Sequence, residues 1–165
     1  MELLVVARFN GVFIVEWTVA LHMHPDASAG PGHTGEGNGE TFDTWTALQR
    51  STDRQRANLI ADIVGHPRGA PSVKELDYMN PSLESDAIRR HLSILQDVGV
   101  VEALVIEPGE RVRGYPYKFY RLTDEARTLF DQNDLFPEDA WRRQYERVQK
   151  TGEITELEEM PRPKP

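Results

Sequence analysis

Two adjacent arginines, Arg89 and Arg90, are the strongest candidates for binding chemistry in this sequence. A guanidinium group can donate two parallel hydrogen bonds to O6 and N7 of guanine, or it can hold a phosphate. Both arginines fall on the polar side of a predicted helix over residues 85–98, whose other side is apolar at helical spacing. The apolar residues are Ile88, Leu92, Leu95 and Val98. Such a helix could lie in the major groove of DNA; the alternative is that these arginines are ordinary solvated charge.

Two capping-box patterns predict the helices that precede this one. Thr52 with Gln55 would open the first, and Ser72 with Glu75 would open the second. The second helix ends at the turn Asn-Pro-Ser over residues 80–82, because the residue before a proline avoids helical geometry. A short helix, a tight turn and a longer amphipathic helix together predict a helix-turn-helix.

A β-hairpin is predicted directly after the longer helix. Gly99 ends that helix, residues 100–106 have the composition of a strand, and residues 107–114 form a turn. The return strand spans 115–122, and Pro116 indicates that it starts late or lies at an edge. The hairpin would be the wing of a winged helix-turn-helix.

The expected DNA contacts come from the turn, the polar side of the helix and the wing. They are Ser82, Ser85, Asp86, Arg89, Arg90, Ser93, Arg111, Arg113 and Lys118. Ser82 or Ser85 is explained just as well as the cap of the helix, and Asp86 either positions an arginine or repels phosphate. Arg111 and Arg113 at the wing tip could reach the minor groove or the backbone; the alternative is an exposed charged loop.

The overall charge argues against an ordinary DNA-binding protein. The chain has 165 residues and a net charge of −8, whereas phosphate contacts need cations. Residues 50–121 are the least negative part, with eleven basic and ten acidic residues. The acidic, lysine-poor composition also suits a protein that works in concentrated salt. The absence of cysteine excludes disulfides and thiolate metal sites.

The N-terminal residues allow two interpretations. Residues 3–23 are mostly apolar but are interrupted by charged and polar side chains, which argues against a membrane span. Asn10-Gly11 between two β-branched runs predicts a hairpin; alternatively, translation starts at Met23. Residues 24–40 are glycine-rich and are interpreted as a flexible linker. His22, His24 and His33 are scattered there, and solvated histidines explain them better than a metal site.

Large apolar residues near both ends of the remaining chain are candidates for a dimer interface. Residues 41–50 form a predicted amphipathic helix, residues 124–133 a second helix, and residues 138–150 the last helix, which ends at Gly152. The expected dimer contacts are Phe42, Trp45, Trp141, Tyr145 and Val148. The alternative is that these side chains form intrachain core. Residues after 151 are acidic and then proline-rich, and a frayed tail is expected, with possible local docking of Ile154 and Leu157.

Residues 57–122 resemble the winged helix-turn-helix of the ArsR and PadR groups of prokaryotic transcription regulators. The residues that carry the likeness are Arg90-His91-Leu92-x-x-Leu95-x-x-x-Gly99-Val100-Val101, the turn Pro-Gly-Glu-Arg at 108–111, and Tyr117-Lys118-Phe119-Tyr120-Arg121-Leu122-Thr123. Over residues 41–160 the chain is most similar to small regulators of halophilic archaea, such as an oxidative-stress regulator of the RosR type. The resemblance implies a homodimer that binds double-stranded DNA. The metal-sensing members use cysteines in this unit, and this chain has none.

The sequence therefore predicts a mostly α-helical fold with a small β-hairpin, an α+β winged helix-turn-helix with an additional C-terminal dimerisation helix. The expected organisation is an N-terminal extension at 1–40, the DNA-binding domain at 41–133, the dimerisation helix at 134–152 and the tail at 153–165. We expect a cytoplasmic transcription regulator with no cofactor, no metal and no membrane partner, and we leave a small-molecule effector open. No nucleophile motif or glycine-rich phosphate loop suggests an enzyme. The alternative is a winged-helix protein-interaction module without DNA binding.

Overall fold

The computed structural model describes residues 7–9, 12–14 and 41–165. Two short strands, β1 (Ala7–Phe9) and β2 (Val12–Ile14), pair antiparallel. Asn10-Gly11 falls between these strands and lies outside the described residues.

The other expectations for the N-terminal residues also fall outside the described part of the chain. These are the linker at 24–40, the alternative start at Met23 and the histidines at 22, 24 and 33. Among the described residues, no helix is both long and apolar enough to cross a membrane.

The helix-turn-helix is formed by α3 (Val73–Met79) and α4 (Ser85–Asp97), and the preceding helix α2 (Arg54–Gly65) packs against both. The predicted Ser72–Glu75 capping box is present in full at the start of α3. The predicted Thr52–Gln55 box is wrong, because Asp53 caps α2 by accepting hydrogen bonds from the backbone N–H groups of Gln55 and Arg56.

The apolar side of α4 lies in the main hydrophobic core. Ile88, Leu92 and Leu95 are fully buried there, against Leu59, Ile60 and Ile63 of α2 among others. Burying each such side chain contributes roughly 1.5–3 kcal/mol, so the packing fixes which side of α4 faces solvent. The polar side predicted from the sequence is therefore the exposed side.

The wing is the antiparallel pair of β3 (Val101–Val105) and β4 (Lys118–Leu122), with Val101 opposite Leu122. Gly99 has φ +71°, a backbone conformation that favours glycine, and it separates α4 from β3 as predicted. The return strand begins after Pro116, as the proline indicated. The winged helix-turn-helix predicted from the sequence is thus confirmed as the fold.

Two further helices complete the core around this unit. α1 (Thr44–Ser51) is capped by Asp43, and α5 (Asp124–Gln132) is capped by Thr123 and buries Ala126, Leu129 and Phe130. Phe42 precedes α1 and, like Leu48, packs against the main core, whereas Trp45 is 74% exposed. Trp45 therefore does not pack in the core of its own chain, and its role as a dimer contact stays a prediction.

α6 (Glu138–Glu146) packs closely on α2. Trp141 and Tyr145 are buried within their own chain, with exposures of 6% and 3%, and Trp141 packs near Ala61. A Cβ atom on Gly65 would lie 2.7 Å from the backbone oxygen of Trp141, so glycine permits this close approach. The predicted dimer role of Trp141 and Tyr145 is corrected here: both side chains fill the space between two helices of one chain. Val148 is half-buried beyond the end of α6.

The expected frayed tail is wrong, because residues Gly152–Glu159 form a seventh helix, α7, in the part of the chain described. Gly152 begins this helix rather than ending the previous one, and the Thr151 side chain caps it. Ile154 and Leu157 are buried, and α7 contacts α3.

A buried polar cluster joins the C-terminal residues to the start of α3. Glu75 is fully buried; its Oε1 atom accepts hydrogen bonds from His66 Nε2 and Arg162 Nη2, each 2.9 Å long. Its Oε2 atom accepts from the backbone N–H and the hydroxyl of Ser72, each at 2.7 Å.

The backbone N–H of Arg68 donates to His66 Nδ1, so the ring carries its proton on Nε2, which donates to Glu75. Burial alone would raise the pKa of Glu75, but the hydrogen bonds from His66 and Ser72 and the charge of Arg162 hold that pKa below its ordinary value.

The same Arg162 side chain fixes three segments to one another. Its Nε atom donates to the carbonyl of Ala70, and its Nη1 atom donates to the carbonyls of Leu157 and Met160. Its guanidinium lies 4.3 Å from the centre of the Phe119 ring on β4. The end of α7 is thereby attached to the loop before α3 and to the wing.

Candidate nucleic-acid interface

The exposed side of α4 presents both arginines that the sequence singled out. Arg89 Nη1 donates to Asp86 Oδ1 at 2.8 Å, and the two side chains are 57% and 94% exposed. Arg90 and Ser93 are also exposed. Among the described residues, Arg90 has no hydrogen-bond or ion-pair partner, so its guanidinium is available to a ligand. An exposed pair such as Asp86–Arg89 is worth only about 0–1 kcal/mol, so it orients Arg89 without blocking it.

Neither Ser82 nor Ser85, which is the first residue of α4, caps that helix. The N-cap residue is Glu84, which makes no side-chain capping hydrogen bond. Ser85 instead donates its hydroxyl hydrogen bond to Asp77 Oδ1 at 2.8 Å, and Ser82 is exposed in the turn. The capping interpretation is therefore wrong for both serines, and the N–H groups at the start of α4 remain open to an anion.

His91 lies beside this surface and is held by α2. Its Nε2 atom is 2.6 Å from Gln55 Oε1, while its Nδ1 atom is buried without a hydrogen-bond partner among the described residues. Burial, with repulsion from Arg56 and Arg90, lowers the pKa of His91, although Asp53 opposes the shift. The ring therefore favours the neutral form.

The wing tip holds its two arginines differently. Arg111 folds back: its Nε atom donates to the carbonyl of Ile106 at 2.9 Å, and its guanidinium lies 4.1 Å from the centre of the Tyr117 ring. Arg113 is exposed. Lys118, at the start of β4, is also exposed, and its Nζ atom is 5.3 Å from the centre of the Tyr120 ring. Arg111 is thus held against the wing, whereas Arg113 makes no hydrogen bond or ion pair with any other described residue.

A groove of about 490 Å³ separates the helix-turn-helix from the wing. Three of the residues predicted from the sequence line it, namely Ser85, Arg89 and Lys118. The groove does not include Arg90, Ser93, Arg111 or Arg113, which lie on the neighbouring surfaces of α4 and the wing tip. The predicted interface residues therefore divide into a groove set and two flanking sets.

The groove also contains side chains that the sequence analysis missed. Lys74 lies on α3, and Tyr115 and Tyr117 lie on the returning arm of the wing. The alternation of aromatic and other residues in Tyr-Pro-Tyr-Lys-Phe-Tyr could have indicated the two tyrosines, because alternate residues of an extended chain share a side. Nothing local indicates Lys74, since its place depends on how α3 meets the wing.

The described residues contain no group of three or more histidine or acidic side chains placed to hold a metal ion. The groove between the helix-turn-helix and the wing is lined by guanidinium, ammonium, hydroxyl, carboxylate and aromatic groups. Such groups bind phosphates and the edges or faces of bases.

The comparison with solved structures finds a similar chain, described as a protein with a GntR superfamily winged-helix-turn-helix domain from Halomicrobium mukohataei. The two chains align with a TM-score of 0.64 and 27% sequence identity, over 77% of this chain and 90% of the other. No protein-family model matches this sequence, and no curated protein matches it significantly. The likeness supports the winged helix-turn-helix, while the neighbour's superfamily is GntR rather than the ArsR or PadR groups.

Proposed function

We propose that this protein is a transcription regulator that binds double-stranded DNA as a homodimer, with α4 in the major groove and the wing on the flanking DNA. The observation that carries the proposal is the exposed polar side of α4 beside the groove, which Arg89 and Lys118 both line. The winged-helix fold of the solved neighbour supports DNA binding. The homodimer is what the sequence resemblance to prokaryotic winged-helix regulators implies.

The contacts fall into two kinds. The first kind is contact with base edges, made by Arg89, Arg90 and, one turn further along α4, Ser93. Asp86 would orient Arg89 for this contact through their hydrogen bond. Ser82, Ser85, Lys118 and the wing-tip arginines Arg111 and Arg113 would contact the phosphate backbone, which sets position rather than sequence preference.

The dimer would form through the outer side of α1. Trp45 is the most exposed of the large apolar side chains of the described residues, and Phe42 lies nearby at the edge of an open groove of about 410 Å³ that runs along α5. Aromatic residues of this kind are enriched at interfaces. In a two-fold dimer the same patch of each copy meets its counterpart, so Trp45 would be buried twice.

Replacing Trp45 by alanine should weaken the dimer by about 1,000-fold, because both copies lose a buried interfacial tryptophan worth roughly 2 kcal/mol or more. Sedimentation equilibrium at molar KCl would measure the dissociation constant. Val112→Ala is the matched control, since Val112 is also exposed (62%) but lies on the wing. An unchanged dimer in the Trp45 variant would place the interface elsewhere.

Selection of bound duplexes from a random pool at molar KCl tests the function itself. We expect a palindromic motif, as a two-fold dimer would read two half-sites, and we expect Arg90→Ala to lose it. No enrichment by an intact dimer would favour the protein-interaction module instead, and the acidic net charge of −8 would then be its recognition feature.

A further inference from the structure

Two residues on the rim of the groove are already paired with acidic side chains of α7. The Lys74 ammonium forms an ion pair with Glu153, and the Tyr115 hydroxyl donates a hydrogen bond to Glu156. Lys74 and Glu153 remain 49% and 64% exposed, so solvent and ligands can reach the pair. The hydrogen bond and charge of Glu156 raise the pKa of Tyr115.

The two carboxylates are presented by a helix that is held in place. Glu153 and Glu156 are three residues apart and share one side of α7. Ile154 and Leu157 anchor the buried side of that helix. At its C-terminal end, Arg68 donates to the carbonyls of Glu158 and Glu159, so α7 cannot swing freely away from α3.

The donors that meet these carboxylates are the kind that phosphate oxygens accept from. Lys74 and Tyr115 line the groove with Arg89 and Lys118, which we place on DNA. A carboxylate oxygen and a phosphate oxygen compete for the same N–H or O–H donor, and two carboxylates beside a phosphate also repel it.

We propose that Lys74 and Tyr115 are contacts to the phosphodiester backbone of DNA, and that α7 occupies them with Glu153 and Glu156 in the free protein. The inference rests on the proposed function and adds two DNA contacts, Lys74 and Tyr115, and a helix, α7, that competes with DNA for them. DNA must displace the carboxylates of Glu153 and Glu156 before its phosphodiester backbone can bind Lys74 and Tyr115. High salt weakens the exposed Lys74–Glu153 pair and the repulsion of phosphate, which lowers this barrier.

The double variant Glu153→Gln, Glu156→Gln should bind random-sequence duplex DNA about 10-fold more tightly than the unchanged protein at low salt. The double variant Glu125→Gln, Glu146→Gln removes the same charge from exposed positions on α5 and α6, which do not line the groove, and should change the affinity less. Adding Lys74→Ala and Tyr115→Phe to the first double variant should remove its gain. Fluorescence anisotropy across a salt series would measure all four proteins, and the difference should shrink as salt rises.

A second measurement reports the contact without DNA. The NMR chemical shift of the Tyr115 ring carbon that bears the hydroxyl reports the ionisation of that hydroxyl, and the Tyr115→Phe variant assigns the signal. The pKa of Tyr115 should be lower in Glu156→Gln than in the unchanged protein. An unchanged Tyr115 titration would contradict the contact with α7.

The DNA-binding outcomes separate the two proposals. Equal affinities for the two double variants, with measurable binding by the unchanged protein, would overturn the role of α7 and leave the proposed function standing. If the Glu153→Gln, Glu156→Gln variant binds DNA and the other three proteins do not, both proposals are supported. No binding by any variant would overturn both.

Discussion

Replacing Arg162 by alanine should lower the free energy of unfolding by about 3–5 kcal/mol, the usual cost of removing one partner of a buried ion pair. Its side chain is 7% exposed and Glu75 is fully buried, so the carboxylate would lose a charged partner where water cannot replace it. The carbonyls of Ala70 and Leu157 would lose their donor as well. Urea denaturation at pH 7 would measure the change. Arg142→Ala is the control, because Arg142 pairs with Glu138 at the surface and should cost at most about 1 kcal/mol.

The effect of Arg162→Ala should depend on pH in a direction set by Glu75. The folded-state pKa of Glu75 lies below its unfolded value, which is about 4.3 for an ordinary glutamate. The stability from ionised Glu75 is therefore present above that unfolded pKa and is lost as the pH falls through the folded pKa. The variant and the unchanged protein should converge in stability under acid conditions. A difference that is as large at pH 3 as at pH 7 would show that Arg162 acts by packing alone.

The helix-turn-helix and wing were predictable because their signals are local. Gly99, Pro116 and the apolar residues at helical spacing on α4 each act within a few positions of the feature they determine. The Ser72–Glu75 box was also predicted correctly, but its burial was not. The start of α2 was predicted less well, because Thr52 and Asp53 are adjacent and either residue type can cap a helix. In the structure Asp53 is the cap.

The C-terminal part was less predictable because it depends on distant contacts. α7 has only two buried apolar residues, Ile154 and Leu157, too few to produce a clear helical period. Its place is fixed by Arg162, which meets a glutamate 87 positions earlier in the chain. For the same reason, the pattern of Trp141 and Tyr145 was ambiguous. The apolar side of a helix predicts that its side chains are buried, but it does not say whether the same chain or a second copy buries them.

The candidate site shows the same division. The sequence indicated Arg89, Arg90 and Lys118, because a polar helix side next to a hairpin has a known geometry. It missed Lys74, which reaches the groove only because α3 packs beside the wing, and it missed the acidic helix that pairs with it. The residues proposed to modulate DNA affinity are therefore harder to predict from the sequence than those proposed to contact base edges.

Replacing both Arg89 and Arg90 by alanine should weaken binding to the selected duplex by roughly 2–6 kcal/mol, about 30-fold or more, since each base-reading arginine contributes roughly 1–3 kcal/mol. Because the two side chains are exposed and face solvent, the loss should appear in DNA affinity and leave the unfolding free energy nearly unchanged. Competition anisotropy with the selected and a scrambled duplex would measure both affinity and discrimination.

Two comparisons make the result specific to the α4 surface. Arg143→Ala with Arg147→Ala removes two exposed arginines on and just after α6, so it should lower affinity for both duplexes only slightly. Lys118→Ala should weaken binding to both duplexes equally, because a phosphate contact carries no sequence information. If the Arg89, Arg90 variant kept its preference for the selected duplex, these arginines would be backbone contacts, and sequence recognition would have to come from the wing or from the shape of the DNA.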